Sequence, residues 1–160
     1  NAVAACKAEG VPLIALERAP WVPGDGDRWT PVTDIAAAVA ALAGPPRRVF
    51  LAIGRQHIDA FAAQPQHHYL LRLVDAPNGP LPVAEFTVVV ARGPFDVAGD
   101  TDLMREHGIE VVVAKNAGGK GAVAKIAAAR ALGLPVVMID RPALPDRRVA
   151  RTVGGVMAWL

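Results

Sequence analysis

Short apolar runs alternate with alanine-rich stretches along almost the whole chain, and this alternation is the strongest limit on its fold. The runs at residues 49–53, 86–91, 109–114 and 134–139 consist mostly of Val, Ile, Leu and Phe. Such continuous runs are typical of strands covered on both faces, and helices between them favour parallel pairing. The pattern therefore predicts an α/β fold with a parallel sheet and helices on both faces.

Residues 11–16 and 69–74 add two more predicted strands to this pattern. The segment from Trp21 to Trp29 is rich in proline and glycine and reads as a loop. A helix that begins after residues 33–34 ends at the Gly-Pro-Pro sequence of residues 44–46. This break is the candidate domain boundary, and the alternative is an ordinary turn between a helix and a strand.

Composition narrows the class of protein further. Hydrophobic residues make up 52% of the chain and aromatic residues 5%, which favours a core of aliphatic side chains. The net charge is only +2, and the basic residues form no run, so nucleic-acid binding is not expected. Cys6 is the only cysteine, which excludes an internal disulfide and a thiolate metal cluster.

The sequence predicts a cytoplasmic protein without a membrane segment, because no apolar stretch is long enough to span a bilayer. The first residue is Asn1 rather than Met, and helix-like sequence follows at once. We therefore expect the chain to begin inside a larger protein.

Three of the predicted strands end in polar turns that contain glycine, at residues 54–56, 92–95 and 115–120. The carboxyl ends of parallel strands lie along one edge of a sheet, where ligands bind in open α/β folds. The topology therefore predicts one cleft surrounded by four basic side chains: Arg55, Arg92, Lys115 and Lys120.

The turn at residues 115–120 has two possible roles. Gly118 and Gly119 permit close approach of a ligand, the following helix presents its N-terminus, and Lys115 and Lys120 add positive charge. Phosphate or carboxylate would suit such a site. The alternative is a tight turn with solvated lysines, and the spacing fits neither a P-loop nor a GxGxxG turn.

The arginines and histidines leave alternatives open. Arg55 and Arg92 can bind carboxylates in bidentate fashion or can bond to neighbouring loops, and Arg72, within a strand, fits a structural ion pair. His57 lies near the predicted cleft, where a place on the helix surface is expected and an acid–base role is the alternative. None of the four histidines shows metal-ligand spacing. The sequence predicts no metal site and identifies no nucleophile or proton donor.

The turns, taken in order, resemble those of the precorrin-6A reductase family. The resemblance covers the whole chain, and its most specific part is the Lys-Asn-Ala-Gly-Gly turn at residues 115–119. The other matching segments are Glu17-Arg18 with Trp21, Gly54-Arg55 with Phe61, residues 68–74 with Pro77, Arg92-Gly93-Pro94-Phe95, and Arg141-Pro142.

The resemblance implies two Rossmann-like domains with an active site between them. Residues 1–45 would be the remainder of the N-terminal domain, and residues 46–160 would form the C-terminal domain. The implied activity is NADPH-dependent hydride transfer to the polycarboxylate macrocycle precorrin-6A, giving precorrin-6B in cobalamin biosynthesis. The implied cofactor-binding residues are Gly54, Lys115, Asn116, Gly118, Gly119 and Lys120, and the implied substrate-binding residues are Arg55, Arg72 and Arg92.

Two departures from the family pattern bear on this expectation. Ala117 stands where the family has serine, and the family's opening strand and glycine-rich turn are absent from this chain. The missing N-terminal domain of the same protein is therefore an expected partner, and the isolated chain is expected to lack a complete site. The alternatives are the cobalt-precorrin-6A reductase of the anaerobic route and a non-catalytic anion-binding domain.

Overall fold

The computed structural model describes residues 2–160, which form eight strands and six helices within that range. The strands are β1 (Ile14–Leu16), β2 (Arg28–Val32), β3 (Arg48–Ala52), β4 (His68–Leu73), β5 (Glu85–Val90), β6 (Val111–Lys115), β7 (Pro135–Ile139) and β8 (Arg148–Ala150). The α-helices are α1 (Ala2–Ala8), α2 (Ile35–Ala41), α3 (Val97–Glu106), α4 (Ala124–Ala131) and α5 (Val153–Met157), and a 3₁₀ helix covers Arg55–Ala63.

Six of these strands form one parallel sheet in the order β2-β7-β6-β3-β4-β5. The other two, β1 and β8, form a separate parallel pair. The predicted α/β class with a parallel sheet is confirmed. The two central strands of this sheet are β3 and β6. Beyond β3 lie β4 and β5, and beyond β6 lie β7 and β2, so the strand order reverses between β3 and β6.

Both faces of the six-stranded sheet are covered, which explains why its central strands are continuously apolar. Successive side chains of a strand point to opposite faces, so Phe50 packs on one side and Leu51 on the other. The Leu51 face contacts residues of α2 and the 3₁₀ helix, including Phe61. The Phe50 face contacts residues of α3 and α4, including Met104 and Ile126.

Strand β2 corrects the prediction that residues 21–29 belong wholly to a loop. It pairs with β7 at the edge of the sheet, where Pro31 is tolerated because one side of an edge strand needs no backbone donor. Both β2 and α2 precede the predicted domain division at residues 45–46, yet β2 extends the sheet and α2 packs on it. The division itself stays a prediction.

Aspartate side chains cap the helices α2 and α3. Asp34 caps α2, because its carboxylate accepts a hydrogen bond from the Ala37 amide at 2.8 Å. Asp96, rather than Asp100 or Thr101, caps α3 by accepting a hydrogen bond from the Gly99 amide at 2.7 Å. Asp100 instead lies inside the helix with its side chain buried.

The two-stranded sheet joins the beginning and the end of the chain. Strand β1 is shorter than the predicted run of residues 11–16, and β8 was not predicted because its three residues carry no apolar pattern. The Arg147 guanidinium donates to the Glu17 carboxylate beside this pair. Across residues 2–160, none of the helices has the length and apolarity required to traverse a bilayer.

Asp27 fixes the turn before β2 onto helix α4. Its carboxylate accepts two hydrogen bonds from Arg130, at 2.9 and 2.7 Å, and one from the Gly24 amide at 2.8 Å. The hydrogen bond from Arg130, followed by that of Gly24, lowers the pKa of Asp27, against an opposing effect of burial.

We expect Asp27→Asn to reduce the free energy of unfolding at pH 7 by about 1–2 kcal/mol. A carboxylate whose pKa is lowered by folding stabilises the protein above its unfolded pKa, which is about 4, and this contribution disappears as the pH falls through the folded pKa. Urea unfolding between pH 7 and pH 2.5 should therefore show the wild type and the variant converging in acid. A difference that does not change with pH would contradict this assignment.

Candidate functional site

The carboxyl edge of the six-stranded sheet carries the polar turns that the sequence singled out. Because all six strands are parallel, the turns after β6, β3 and β5 leave the sheet at the same edge. Gly54 follows β3, the turn of residues 116–120 follows β6, and Arg92 lies just beyond β5. Strands β3 and β6 are neighbours, whereas β4 separates β3 from β5, so Arg92 lies farther from the point where the strand order reverses.

Asn116 uses its side chain to hold another part of the chain. Its Oδ1 accepts a hydrogen bond from the Trp21 amide at 2.8 Å, and its Nδ2 donates to the Trp21 carbonyl at 2.9 Å. The Trp21 indole Nε1 in turn donates to the Gly119 carbonyl at 2.8 Å. The turn after β6 is therefore bound to the segment of residues 18–21, and Asn116 lies buried beneath it.

Gly118 and Gly119 both adopt the left-handed backbone conformation, with φ of 67° and 69°. A Cβ atom on Gly118 would lie 2.2 Å from the Ala19 carbonyl oxygen, and one on Gly119 would lie 2.8 Å from the Arg18 Cδ. The glycines are thus required by the close approach of residues 18–19. The following helix begins only at Ala124, so its N-terminus does not directly follow the turn as predicted.

Arg141 completes this arrangement and was not identified as a site residue from the sequence. Its guanidinium donates to the carbonyls of Asn116 at 2.9 Å, Ala117 at 2.7 Å and Arg18 at 2.6 Å. All three partners are backbone oxygens, which local sequence patterns do not reveal. The available signals were the position of Arg141 after β7, beside the end of β6, and the Arg141-Pro142 match to the family pattern.

Lys115 and His57 meet across the point where the strand order reverses. The Lys115 Nζ lies 2.6 Å from the His57 Nε2, within hydrogen-bond distance. Lys115 is half-buried at the end of β6, and His57 lies in the first turn of the 3₁₀ helix. Lys120 is exposed.

Gly54 and Arg55 line a cavity of about 280 Å³ between the ends of β3 and β4. Both residues are exposed, as is Asp75, which also lines the cavity. The Gln56 Oε1 lies 2.6 Å from where a Cβ on Gly54 would be, so the absence of a side chain there leaves room for Gln56.

Arg72 is engaged by the protein itself. Its guanidinium forms an ion pair with the buried Asp100 carboxylate and lies 3.7 Å from the ring centroid of Phe95 and 5.2 Å from that of Phe50. The side chain is only 12% exposed. Burial, with a further contribution from Arg72, lowers the pKa of the nearby Lys125.

Arg92 lies at the surface, next to the carboxylate of Asp75. The Arg92 Nη2 is 2.6 Å from the Asp75 Oδ1, and the two side chains are 71% and 75% exposed. Arg55 and Arg72 both line the cavity at the ends of β3 and β4, and Arg92 bonds to Asp75 of the same lining, but the three arginines differ in exposure and partners. Arg55 lines the cavity at the end of β3, Arg72 is buried in an ion pair, and Arg92 forms an exposed one.

The strand order and the crevice define a Rossmann-like α/β domain of the doubly wound class. Residues 1–160 match the model of the family described as "Precorrin-6x reductase CbiJ/CobK". The chain belongs to this family, as its turns suggested.

Relatives with known names support this membership. The chain is 64% identical over 160 residues to a precorrin-6A reductase of Rhodobacter capsulatus, with 100% of this chain and 64% of that protein covered. It is 45% identical over 161 residues to one from Rhodococcus erythropolis, again with 64% of the relative covered. A solved structure titled "CobK precorrin-6A reductase" matches with a TM-score of 0.96 at 64% identity, covering 99% of this chain and 65% of that one.

Proposed function

We propose that the full-length protein is a cytoplasmic, NADPH-dependent oxidoreductase that reduces precorrin-6A to precorrin-6B in cobalamin biosynthesis. The observation that carries this proposal is the reversal of strand order between β3 and β6, with Gly54-Arg55 after β3 and Lys115 at the end of β6, in a chain of the precorrin-6x reductase family. Dinucleotides bind at this position in doubly wound sheets. The chain spans about 64% of the length of its relatives, so the rest of the active site is assigned to the N-terminal domain.

The proposed cofactor-binding set divides by role. Lys115 and Lys120 would supply positive charge to a phosphate group, and Gly54 would leave space for it. Asn116, Gly118 and Gly119 would act by holding the turn in shape, since their side chains or close contacts are already used within the protein. NADPH would supply the hydride, and these residues would orient it against the macrocycle.

Precorrin-6A carries several carboxylates, which makes arginines at the same edge suitable substrate partners. Arg55 is the strongest candidate because it is exposed and lines the cavity. Arg72 was predicted in the same group. Its ion pair with Asp100 favours a positioning role behind Phe95 rather than direct contact with substrate.

The cobalt-precorrin-6A reductase activity of the anaerobic route is the alternative. A protein of that name from Priestia megaterium is 29% identical to this chain, against 64% for the Rhodobacter capsulatus precorrin-6A reductase. This difference favours the metal-free substrate. Steady-state assays with metal-free and cobalt-loaded substrate should give a higher kcat/KM for the metal-free form, and the opposite order would favour the alternative.

Replacing Lys115 and Lys120 tests the cofactor site. We expect Lys115→Ala to weaken NADPH binding about tenfold, because a charge-assisted hydrogen bond contributes roughly 1.5–3 kcal/mol. Lys120→Ala should have a smaller effect, since Lys120 is exposed. Titration of the full-length protein by nucleotide fluorescence measures both effects.

Lys7→Ala provides the matched control, because Lys7 is an exposed lysine at the end of α1. This variant removes the same charge away from the proposed cofactor site, so its affinity for NADPH should equal that of the wild type. Unchanged affinity in both Lys115→Ala and Lys120→Ala would remove these lysines from the cofactor site. Absence of NADPH oxidation in the wild type supplied with substrate would favour a non-catalytic domain instead.

A further inference from the structure

The order of the strands assigns different ends of a bound dinucleotide to different turns. Counted from β3, the sheet has the order 3-2-1-4-5-6, with β4 and β5 as the second and third strands and β2 in the sixth place. In this arrangement the turn after the first strand lies against the pyrophosphate. An acidic residue about twenty positions later, at the end of the second strand, binds the hydroxyls of the adenosine ribose.

Asp75 occupies that acidic position. It lies about twenty residues after Gly54, follows the end of β4, and lines the cavity that also contains Gly54 and Arg55. No local motif marks it, because the glycine-rich turn that normally precedes such a residue is absent here. Its place is visible only from the strand order.

Arg92 lies next to Asp75 because their strands are neighbours. Asp75 follows β4, Arg92 follows β5, and the pairing of these strands brings the guanidinium to 2.6 Å from the carboxylate. Both side chains are more than two-thirds exposed, at 71% and 75%. An ion pair this exposed contributes little to folding, so its partners are free to be exchanged for a ligand.

The two side chains have opposite preferences for the 2′ position of the ribose. A guanidinium binds phosphate through parallel, charge-assisted hydrogen bonds, whereas a carboxylate accepts hydrogen bonds from hydroxyl groups and repels phosphate. Asp75, which lines the cavity, and Arg92, which bonds to it, therefore place a group suited to a 2′-hydroxyl beside one suited to a 2′-phosphate.

We propose that Asp75 and Arg92 together determine whether this protein prefers NADPH or NADH. When NADPH binds, the Arg92 guanidinium exchanges its bond to Asp75 for bonds to the 2′-phosphate. The Asp75 carboxylate limits the preference for NADPH, because it favours the 2′-hydroxyl of NADH. This inference rests on the proposed function, since it assumes that a pyridine nucleotide binds at this edge. It assigns Arg92 to cofactor binding, whereas the sequence predicted substrate binding for this residue.

The test compares dissociation constants for NADPH and NADH in the full-length protein. Arg92→Gln should weaken NADPH binding about tenfold while leaving NADH within about twofold, because only NADPH carries the group that Arg92 binds. Asp75→Asn should move the ratio of the two constants in the other direction, with tighter NADPH and weaker NADH binding.

The chain contains a matched control pair on helix α3. Arg105 and Asp102 are separated by 3.9 Å and are 66% and 80% exposed, so they resemble Arg92 and Asp75 in charge and exposure. Arg105→Gln and Asp102→Asn should leave both constants unchanged. This comparison separates a specific contact from a general effect of net charge.

The outcomes separate the two proposals. A wild type that binds neither nucleotide would remove the proposed function. A wild type that binds NADPH, with an unchanged NADPH-to-NADH ratio in Arg92→Gln or Asp75→Asn, would overturn this inference alone. A higher KM for precorrin-6A in Arg92→Gln, with both nucleotide constants unchanged, would overturn it as well and return Arg92 to the substrate.

Discussion

Gly118→Ala is expected to lower the free energy of unfolding by about 2–5 kcal/mol, which is one of the two largest effects that we predict for this chain. The new Cβ would lie 2.2 Å from both the Ala19 carbonyl oxygen and the Arg141 Nη2. Neither can move easily, because one belongs to the backbone and the other is held by three carbonyls. The left-handed backbone adds a further cost for any residue with a side chain.

Gly133→Ala is the control that isolates the contact from the backbone conformation. Gly133 has a φ of 65°, close to the 67° of Gly118, but a Cβ there would meet nothing within 4 Å. We expect a loss of only about 1 kcal/mol at this position. Urea unfolding monitored by circular dichroism measures both values. Equal losses in the two variants would show that residues 18–21 do not lie against the turn.

Asp100→Ala is expected to destabilise the protein by about 3–5 kcal/mol, because it leaves the guanidinium of Arg72 buried without a counter-ion. The two side chains are 12% and 3% exposed, and Phe95 and Phe50 cover the guanidinium. The Oδ2 atom of Asp100 has no hydrogen-bond partner within residues 2–160, so the carboxylate depends largely on Arg72.

Two further variants give this prediction its controls. Asp102→Ala removes a carboxylate from the same helix that is 80% exposed, and its effect should be at most about 0.5 kcal/mol. Arg72→Met combined with Asp100→Leu removes both charges and should recover much of the loss. If Asp100→Ala is no more destabilising than Asp102→Ala in urea unfolding, the pair is not a buried ion pair in solution.

The central strands of this fold could be predicted from the sequence because burial on both faces leaves a simple pattern. Val49 to Ala52 and Val111 to Ala114 are continuous apolar runs, and both form neighbouring strands. Strand β2 could not be predicted in the same way. It is an edge strand, half exposed and containing Pro31, and its pairing with β7 joins residues that are distant in sequence.

The candidate site shows the same limit. The sequence pointed to the right turns, because polar residues after buried strands converge at one edge of a parallel sheet. It could not show what each residue contacts. Gly118 stood out as a ligand-binding glycine, but its close neighbour is the Ala19 carbonyl, and Asn116 binds the backbone of Trp21. Arg72 and Asp100 are joined by packing between a strand and a helix, which no spacing rule predicts.

A crystal structure of the full-length protein grown with NADP⁺ tests the central claim most directly, since it shows where the nucleotide lies. We predict that the pyrophosphate lies in the crevice between β3 and β6, near Gly54 and Lys115, and that the 2′-phosphate lies within hydrogen-bond distance of Arg92. A nucleotide bound only by the N-terminal domain, with this crevice facing the macrocycle or solvent, would contradict the account.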